Sequence, residues 1–277
     1  MEYIALDVHK HYTWARVENE KGEKLYECKL SHARGTIQNF TNKWNPGSPV
    51  AVETVGNWYW VVDEIEAGRG SPQLVNARLA KLMIGSVNKS DKLDAKVNRL
   101  QRAGTLPVVW IPPSSVRDAR ELPRTRMVLS DQRTQLKNRI YATIGKYGFK
   151  VEGVSDAFGK QGRKILEGLL AKLPVHTQQA LGLMLDELDH VGVNLKTIEG
   201  QMREAFAPCL ETTYLKSLPG VGEMLAGVMW TEIGTIERFG RAEQLASYAG
   251  LVPRENSSGG HGKFVLHFSY QAGRCAR

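Results

Sequence analysis

The stretch YIALD at residues 3–7 and the stretch PVAVE at residues 49–53 decide the fold. Each is a short apolar run that ends in an acid, Asp7 in the first and Glu53 in the second. Runs of this length and composition predict buried strands. Helical spacing follows at residues 57–66, and further strand signals occur at residues 73–76 and 108–111. The first third of the chain therefore predicts a mixed α/β sheet layered with helices.

A hairpin and a capped helix complete this prediction. Residues 13–17 and 24–30 flank the turn sequence NEKG, so we expect two antiparallel strands there. Ser90 is a suitable N-cap for a helix that runs to Ala103, and Gly104 follows as its stop.

The composition excludes several protein classes. The chain has 277 residues, of which 42% are apolar and 24% charged, as expected for one or two folded domains. No apolar stretch approaches the roughly 18 residues of a membrane span. No leader sequence precedes the first strand, so we expect a cytoplasmic protein. The three cysteines lack the spacing of a zinc ribbon or a disulfide framework.

The positive charge is concentrated in one region. The formal net charge is +8, and residues 117–150 hold nine basic and three acidic side chains, which is +6 of it. This region is poor in glycine and predicts a long helix. A basic helix of this kind is either a solvated face or a surface for a polyanion.

A heptad pattern follows the basic region. Leu181, Leu188, Leu195 and Met202 recur every seven residues, and Met184, Val191 and Ile198 lie three residues after the first three of them. An a/d seam of this length suits an intermolecular coiled coil. It equally suits an amphipathic helix packed within its own domain, and the pattern alone leaves both open.

Four acids form the candidate chemical site. Asp7 and Glu53 each end a predicted strand, while Asp91 and Asp94 are three residues apart near a helix start and share one face. Converging carboxylates are the ligands that Mg²⁺ prefers. Two such ions can clamp the attacking and leaving oxygens of a phosphodiester. Each acid taken singly is equally explained as a cap or a surface residue.

A turn near the C-terminal region carries a second candidate site. The sequence LPGVG at residues 218–222 predicts a hairpin between two helices. Its backbone amides, at Gly220 and Gly222, can face a phosphate at a helix N-terminus. A tight turn without a ligand explains the same sequence.

Several of these motifs, in this order and spacing, resemble those of the insertion-sequence 110 (IS110) family of bacterial transposases. The matching segments are IALDVHK at 4–10, AVETVG at 51–56, NKSDKLDA at 88–95, LPGVG at 218–222, FGRA at 239–242, LASYAGLVPR at 245–254 and SSGG at 257–260.

The resemblance implies a RuvC/RNase H-like N-terminal domain of the DEDD type, with Asp7, Glu53, Asp91 and Asp94 as ligands of Mg²⁺ or Mn²⁺. It also implies a serine in a small, mainly helical C-terminal domain, here Ser258, with Ser257 as the weaker candidate. That serine would attack DNA and hold the strand as a phosphoserine, after activation by a base or metal.

The resemblance further implies partners. Element ends and target DNA would be bound, and some family members use an element-encoded guide RNA that carries the sequence specificity. The basic region would contact nucleic-acid backbone and release counterions. Its strongest candidates are Arg120, Arg124, Arg126, Arg133, Lys137 and Arg139. Residues 181–202 would form a homodimer or homotetramer, and the bound protein would associate with the nucleoid.

We accordingly expect three regions: a RuvC-like domain at 1–113, a basic and coiled-coil connector at 114–206, and a transposase domain with a helix-hairpin-helix-like element at 207–277. After residue 260 the usual family segment is not recognisable, so we expect a truncated, frameshifted or naturally altered C-terminus. His9 and His11 are expected beside the site or at the surface rather than as ligands. The alternative functions are a RuvC-like Holliday-junction nuclease, which needs only the four acids, and a non-catalytic nucleic-acid-binding remnant.

Overall fold

The computed structural model describes residues 1–54, 56–84, 92–206, 209–251, 254–258 and 261–265. The chain divides into two compact units. One unit holds Met1–Ile111 together with Phe239–Arg277, and the other holds Pro112–Arg238. The three-region division at 113/114 and 206/207 stays a prediction.

A six-stranded mixed sheet organises the first unit, in the order β3-β2-β1-β4-β5-β6. The strands are β1 (Tyr3–Val8), β2 (Tyr12–Glu18), β3 (Lys24–Ser31), β4 (Pro49–Glu53), β5 (Ser71–Val75) and β6 (Val108–Val109). The first three are antiparallel, β4 pairs parallel with β1, and β5 pairs parallel with β4. This mixed sheet with flanking helices confirms the predicted RuvC/RNase H-like class.

Helices cover the two faces of the sheet because its apolar residues alternate. The helices are α1 (Thr36–Thr41), α2 (Trp58–Ala67), α3 (Ala77–Ile84) and α4 (Lys92–Arg102). Leu6 and Val52 pack in one core with residues of α1 and α2. Ala5 and Ala51, one position earlier on each strand, pack in a second core with residues of α3 and α4. Side chains at successive positions of a strand point to opposite faces.

One acidic side chain in this unit is buried, although its position in the sequence predicts an exposed residue. From its place in an amphipathic helix, Glu64 looks solvated, yet it is 7% exposed. Its carboxylate accepts hydrogen bonds from the backbone N–H groups of Gly35, Ile37 and Gln38, at 2.7, 3.0 and 3.4 Å. A carboxylate at a helix N-terminus satisfies N–H groups that lack intrahelical partners. Glu64 therefore fastens α2 to the start of α1.

Long helices build the second unit, as predicted. They are α5 (Ser114–Lys146), α6 (Lys160–Leu170) and α7 (Val175–Ala205), followed by α8 (Leu210–Lys216) and α9 (Glu223–Ile233). Ile140 and Ile144 of α5 share a core with leucines of α6 and α7. None of the helices in the described part of the chain is both long and apolar enough to span a bilayer.

The heptad seam of α7 is buried within its own chain. Leu181, Leu188, Leu195 and Met202 are all at most 6% exposed, and α7 packs along α5. The intramolecular interpretation therefore accounts for the heptads. Those side chains already have partners within one chain, and self-association through residues 181–202 stays a prediction.

The C-terminal part adds a helical hairpin and a strand pair. Helices α8 and α9 pack against each other across the LPGVG turn, as predicted. Further on lie α10 (Ala242–Tyr248), β7 (Arg254–Ser258) and β8 (His261–Val265), and the last two strands pair antiparallel. The backbone of Ser257 and Ser258 lies in β7. Residues 259–260 lie outside the described residues.

Candidate active site

Asp7 and Glu53 lie side by side at the carboxyl ends of two parallel strands. Leu6 of β1 is in register with Val52 of β4, so the next residues on both strands are neighbours. Both acids share the sheet face of Ala5 and Ala51, and both line one cleft together with Val97 of α4. The spacing of acids at strand ends predicted this pair, and the structure brings it together.

The electrostatics of the pair favour a bound cation. Burial raises the pKa of Glu53 above its ordinary value; Lys81 lowers it, while the negative charge of Asp7 raises it further. Burial and a neighbouring negative charge both disfavour the ionised form of a carboxylate, and a nearby positive charge favours that form. The pair thus fits a hard divalent cation chemically.

Only part of the predicted tetrad falls within the described residues. Asp91 and the side chain of Asp94 lie outside them. The backbone of Asp94 lies in the first turn of α4, three residues before Val97, which lines the cleft. Among the described residues, no group of three or more His, Cys, Asp or Glu side chains is arranged to hold a metal ion. The four-acid assignment therefore stays a prediction.

A histidine contacts the first acid. His9 Nε2 lies 3.1 Å from Asp7 Oδ2, and both side chains are partly exposed. This contact agrees with the expected place of His9 beside the site rather than in it.

Comparisons with known proteins decide the family. A transposase profile for the DEDD domain of IS110 elements matches residues 4–148, which is over half of the chain. A second profile, described as "Transposase IS116/IS110/IS902 family", matches residues 212–273. The chain belongs to the IS110 family of transposases. The second match extends past residue 260, to residue 273.

Individual transposases are similar to this chain at low identity. The "Transposase for insertion sequence element IS1111A" of Coxiella burnetii is 27% identical over 195 residues, covering 69% of this chain. The "Probable family 20 transposase" of Pseudomonas aeruginosa is 25% identical over 243 residues, covering 84% of this chain and 69% of the relative. The chain spans about half of the Coxiella protein, 53% of its length.

In this IS110 family chain, three of the six predicted phosphate-binding bases are engaged within the protein. Arg120 is 6% exposed, and its guanidinium donates to the carbonyl oxygens of Thr231 (2.8 Å) and Glu232 (2.9 Å). Arg124 donates to the Glu232 carboxylate at 3.4 Å. The Thr231 and Glu232 carbonyls belong to the last turn of α9, and carbonyl groups in the last turn of a helix lack intrahelical hydrogen-bond donors. Arg120 therefore joins α5 to the end of α9, a role that sequence reasoning missed.

Arg126 has a similar structural role. Its Nε and a terminal guanidinium nitrogen both lie within 2.8 Å of Glu199 Oε1, which joins α5 to α7. The remaining candidates, Arg133, Lys137 and Arg139, form what we term the α5 basic trio. Arg133 and Arg139 are exposed, and the Lys137 ammonium lies 4.8 Å from the Phe158 ring centroid. The trio therefore stays the candidate surface for phosphate contact.

The LPGVG turn has one glycine that its own conformation does not require. Gly220 has φ +83, a region that favours glycine. Gly222 has φ −83 at the start of α9, and a Cβ there would meet nothing within 4 Å. The free space at Gly222 suits close approach of a ligand backbone, although Glu223 already places a carboxylate in the first turn.

Proposed function

We propose that this chain is a DNA transposase/recombinase that cuts and rejoins strands of an insertion sequence. The observation that carries the proposal is the Asp7–Glu53 pair, placed on one sheet face at the ends of two parallel strands in a member of a transposase family. Asp7, Glu53, Asp91 and Asp94 would hold Mg²⁺ or Mn²⁺. A divalent cation bound there supplies Lewis-acid stabilisation of charge on the phosphate oxygens.

Ser258 is the proposed nucleophile. Its Oγ would bond to the phosphorus while the bond from phosphorus to the leaving strand oxygen breaks. The serine proton passes to a base, and the leaving oxygen takes up a proton. The phosphoserine ester keeps the phosphodiester bond energy, so a hydroxyl of another strand can displace the serine and rejoin the DNA.

Two further features of the chain would contact DNA. The α5 basic trio would neutralise backbone phosphates, and the N-terminus of α9 at Gly222 would meet a further phosphate. An element-encoded RNA would supply sequence specificity, with the protein reading shape and backbone.

Self-association is proposed through surfaces other than the buried heptad seam. Helix α7 leaves apolar side chains exposed, among them Leu183 at 72% and Val193 at 60%. Sedimentation of wild type and a Leu183→Glu variant measures this directly. A monomer at all concentrations would contradict the homodimer or homotetramer.

The decisive experiment traps the covalent intermediate. The purified chain is incubated with its own element ends, the element transcript and Mg²⁺, and protein–DNA adducts are separated by denaturing electrophoresis. We expect an adduct that is lost in Ser258→Ala and in Asp7→Ala. Cleavage that survives Ser258→Ala would favour the junction nuclease. Salt-sensitive binding without any cleavage in either metal would favour the non-catalytic remnant.

A further inference from the structure

A row of side chains leads across the sheet away from the acidic pair. Asp7 of β1 is in register with Trp14 of β2, which is in register with Lys29 of β3. Cross-strand partners point to the same face. Trp14 and Lys29 therefore share the face on which Asp7 and Glu53 line the cleft.

Helix α4 is anchored at the other end of this face. Its C-terminal residue Arg102 is ion-paired with Glu18, which is in register with Tyr3 at the start of β1. Trp14 is half-buried and Lys29 is exposed. The row from Asp7 to Lys29 thus has a surface available to a ligand beside the cleft.

Direct contacts hold the outer lysine in place. The Lys29 ammonium lies 4.0 Å from the centroid of the Tyr12 ring, within the range of a cation–π interaction. The His9 and Tyr12 rings are 4.6 Å apart, and His9 contacts Asp7. A continuous set of contacts therefore runs from Lys29 to the first acid of the site.

The charge of Lys29 remains available for an anion. No carboxylate of the described residues forms an ion pair with it. The nearest acid along its strand, Glu27, accepts hydrogen bonds from Lys24 at 3.0 Å and from the Trp14 indole at 3.3 Å. The hydrogen bond from Lys24 is the largest cause of the lowered pKa of Glu27. The Glu27 carboxylate is thus paired with Lys24 and Arg16, and it accepts the hydrogen bond of the Trp14 indole.

We propose that the Asp7–Trp14–Lys29 row is a track for the DNA strand that the acidic site cuts. Lys29 binds a backbone phosphate, and the Trp14 indole supports the sugar or base between that phosphate and the scissile one. Two strand spacings separate Asp7 from Lys29, roughly 10 Å. The track rests on the proposed function, since it assumes that the acidic site acts on DNA.

Binding measurements on the full chain test the track. A fluorescent single-stranded oligodeoxynucleotide is titrated in EDTA at several salt concentrations, so that no cleavage occurs. Lys29→Ala should lower the log–log salt slope by about 0.7, the loss of one phosphate contact on a single strand. The matched control is Lys43→Ala, an exposed lysine next to α1, which packs on the opposite face.

The indole is tested by a pair of variants. Trp14→Ala should weaken binding about 5- to 150-fold, as expected from a lost stacking contact of about 1–3 kcal/mol, whereas Trp14→Phe should keep most of the affinity. Far-ultraviolet circular dichroism identifies any variant that fails to fold. If Trp14→Ala does not fold, Lys29→Ala still tests the track, because Lys29 is exposed.

Failure of the track is distinguishable from failure of the proposed function. If wild type binds DNA and forms the adduct while Lys29→Ala and Lys43→Ala have equal salt slopes, the track is wrong and the transposase function stands. If wild type does not bind single-stranded DNA, the track is also wrong. The proposed function is then decided separately, by adduct formation with duplex element ends.

Discussion

Replacing Arg120 with methionine should destabilise the second unit and leave the salt dependence of nucleic-acid binding unchanged. The side chain is buried, and its guanidinium donates to two carbonyl oxygens in the last turn of α9. Methionine keeps the apolar stem that packs along α5, so the change removes the hydrogen bonds with little loss of volume.

The structure sets the size of the effect. The Thr231 carbonyl loses its guanidinium donor, and a buried acceptor left unsatisfied costs about 1–3 kcal/mol. The Glu232 carbonyl also accepts from Arg238 at 3.4 Å, so its loss is a single hydrogen bond of about 0.5–1.5 kcal/mol. Together the free energy of unfolding should fall by about 1.5–4.5 kcal/mol.

Urea unfolding followed by far-ultraviolet circular dichroism measures this loss. The matched control is Arg133→Met, on the same helix but exposed, which should change the free energy of unfolding by less than about 0.5 kcal/mol. The salt dependence of DNA binding is then compared for both variants where both are folded. Arg133→Met should lower the slope, and Arg120→Met should leave it unchanged.

The opposite pattern would refute the reasoning. If Arg120→Met unfolds like wild type and lowers the salt slope, Arg120 contacts phosphate as the sequence alone suggests. Its buried hydrogen bonds to α9 would then contribute nothing measurable.

Three further predictions concern charge, acidity and packing. Alanine at all positions of the α5 basic trio should lower the salt slope of duplex binding by up to about 0.9 per lost contact, and an unchanged slope means that this face is not the DNA surface. Without divalent cations, Glu53→Gln should be more stable than wild type at neutral pH, because a raised folded pKa makes the ionised form costly. Since that cost disappears below the ordinary glutamate pKa of 4.5, the two unfolding curves should converge in acid; a constant difference contradicts the raised pKa. Leu181→Ala should cost about 2–5 kcal/mol at a midpoint independent of protein concentration, against under about 0.5 kcal/mol for the exposed Leu183→Ala; a concentration-dependent midpoint would restore the intermolecular seam.

Most secondary-structure elements are readable from the chain because their signals are local. The two acid-terminated runs became β1 and β4, and the glycine-poor basic region became α5. The hairpin β7–β8 is the main element missed. Its sequence is rich in serine and glycine, which is typical of loops, and only pairing between the two strands makes it regular.

The number of charges on α5 does not predict which of its arginines are exposed. Arg120 and Arg133 look alike in the sequence, since both belong to the same basic helix. Their roles separate only because the last turn of α9 lies against Arg120. Likewise Glu64 is buried because α1 starts beside it, a contact between residues that are 27 positions apart.

By itself, the sequence determined the fold class, the two acids at strand ends and the family, because strand length, apolar alternation and motif order are properties of neighbouring residues. Only the tertiary structure decided that the heptad seam packs on α5, that Arg120 and Arg126 hold helices together, and that Trp14 and Lys29 lie beside Asp7. Those outcomes depend on which surfaces meet across long separations. An apolar seam is removed from water, and a carbonyl is satisfied, whether the partner comes from this chain or from another molecule, so only the folded arrangement shows which one supplies it.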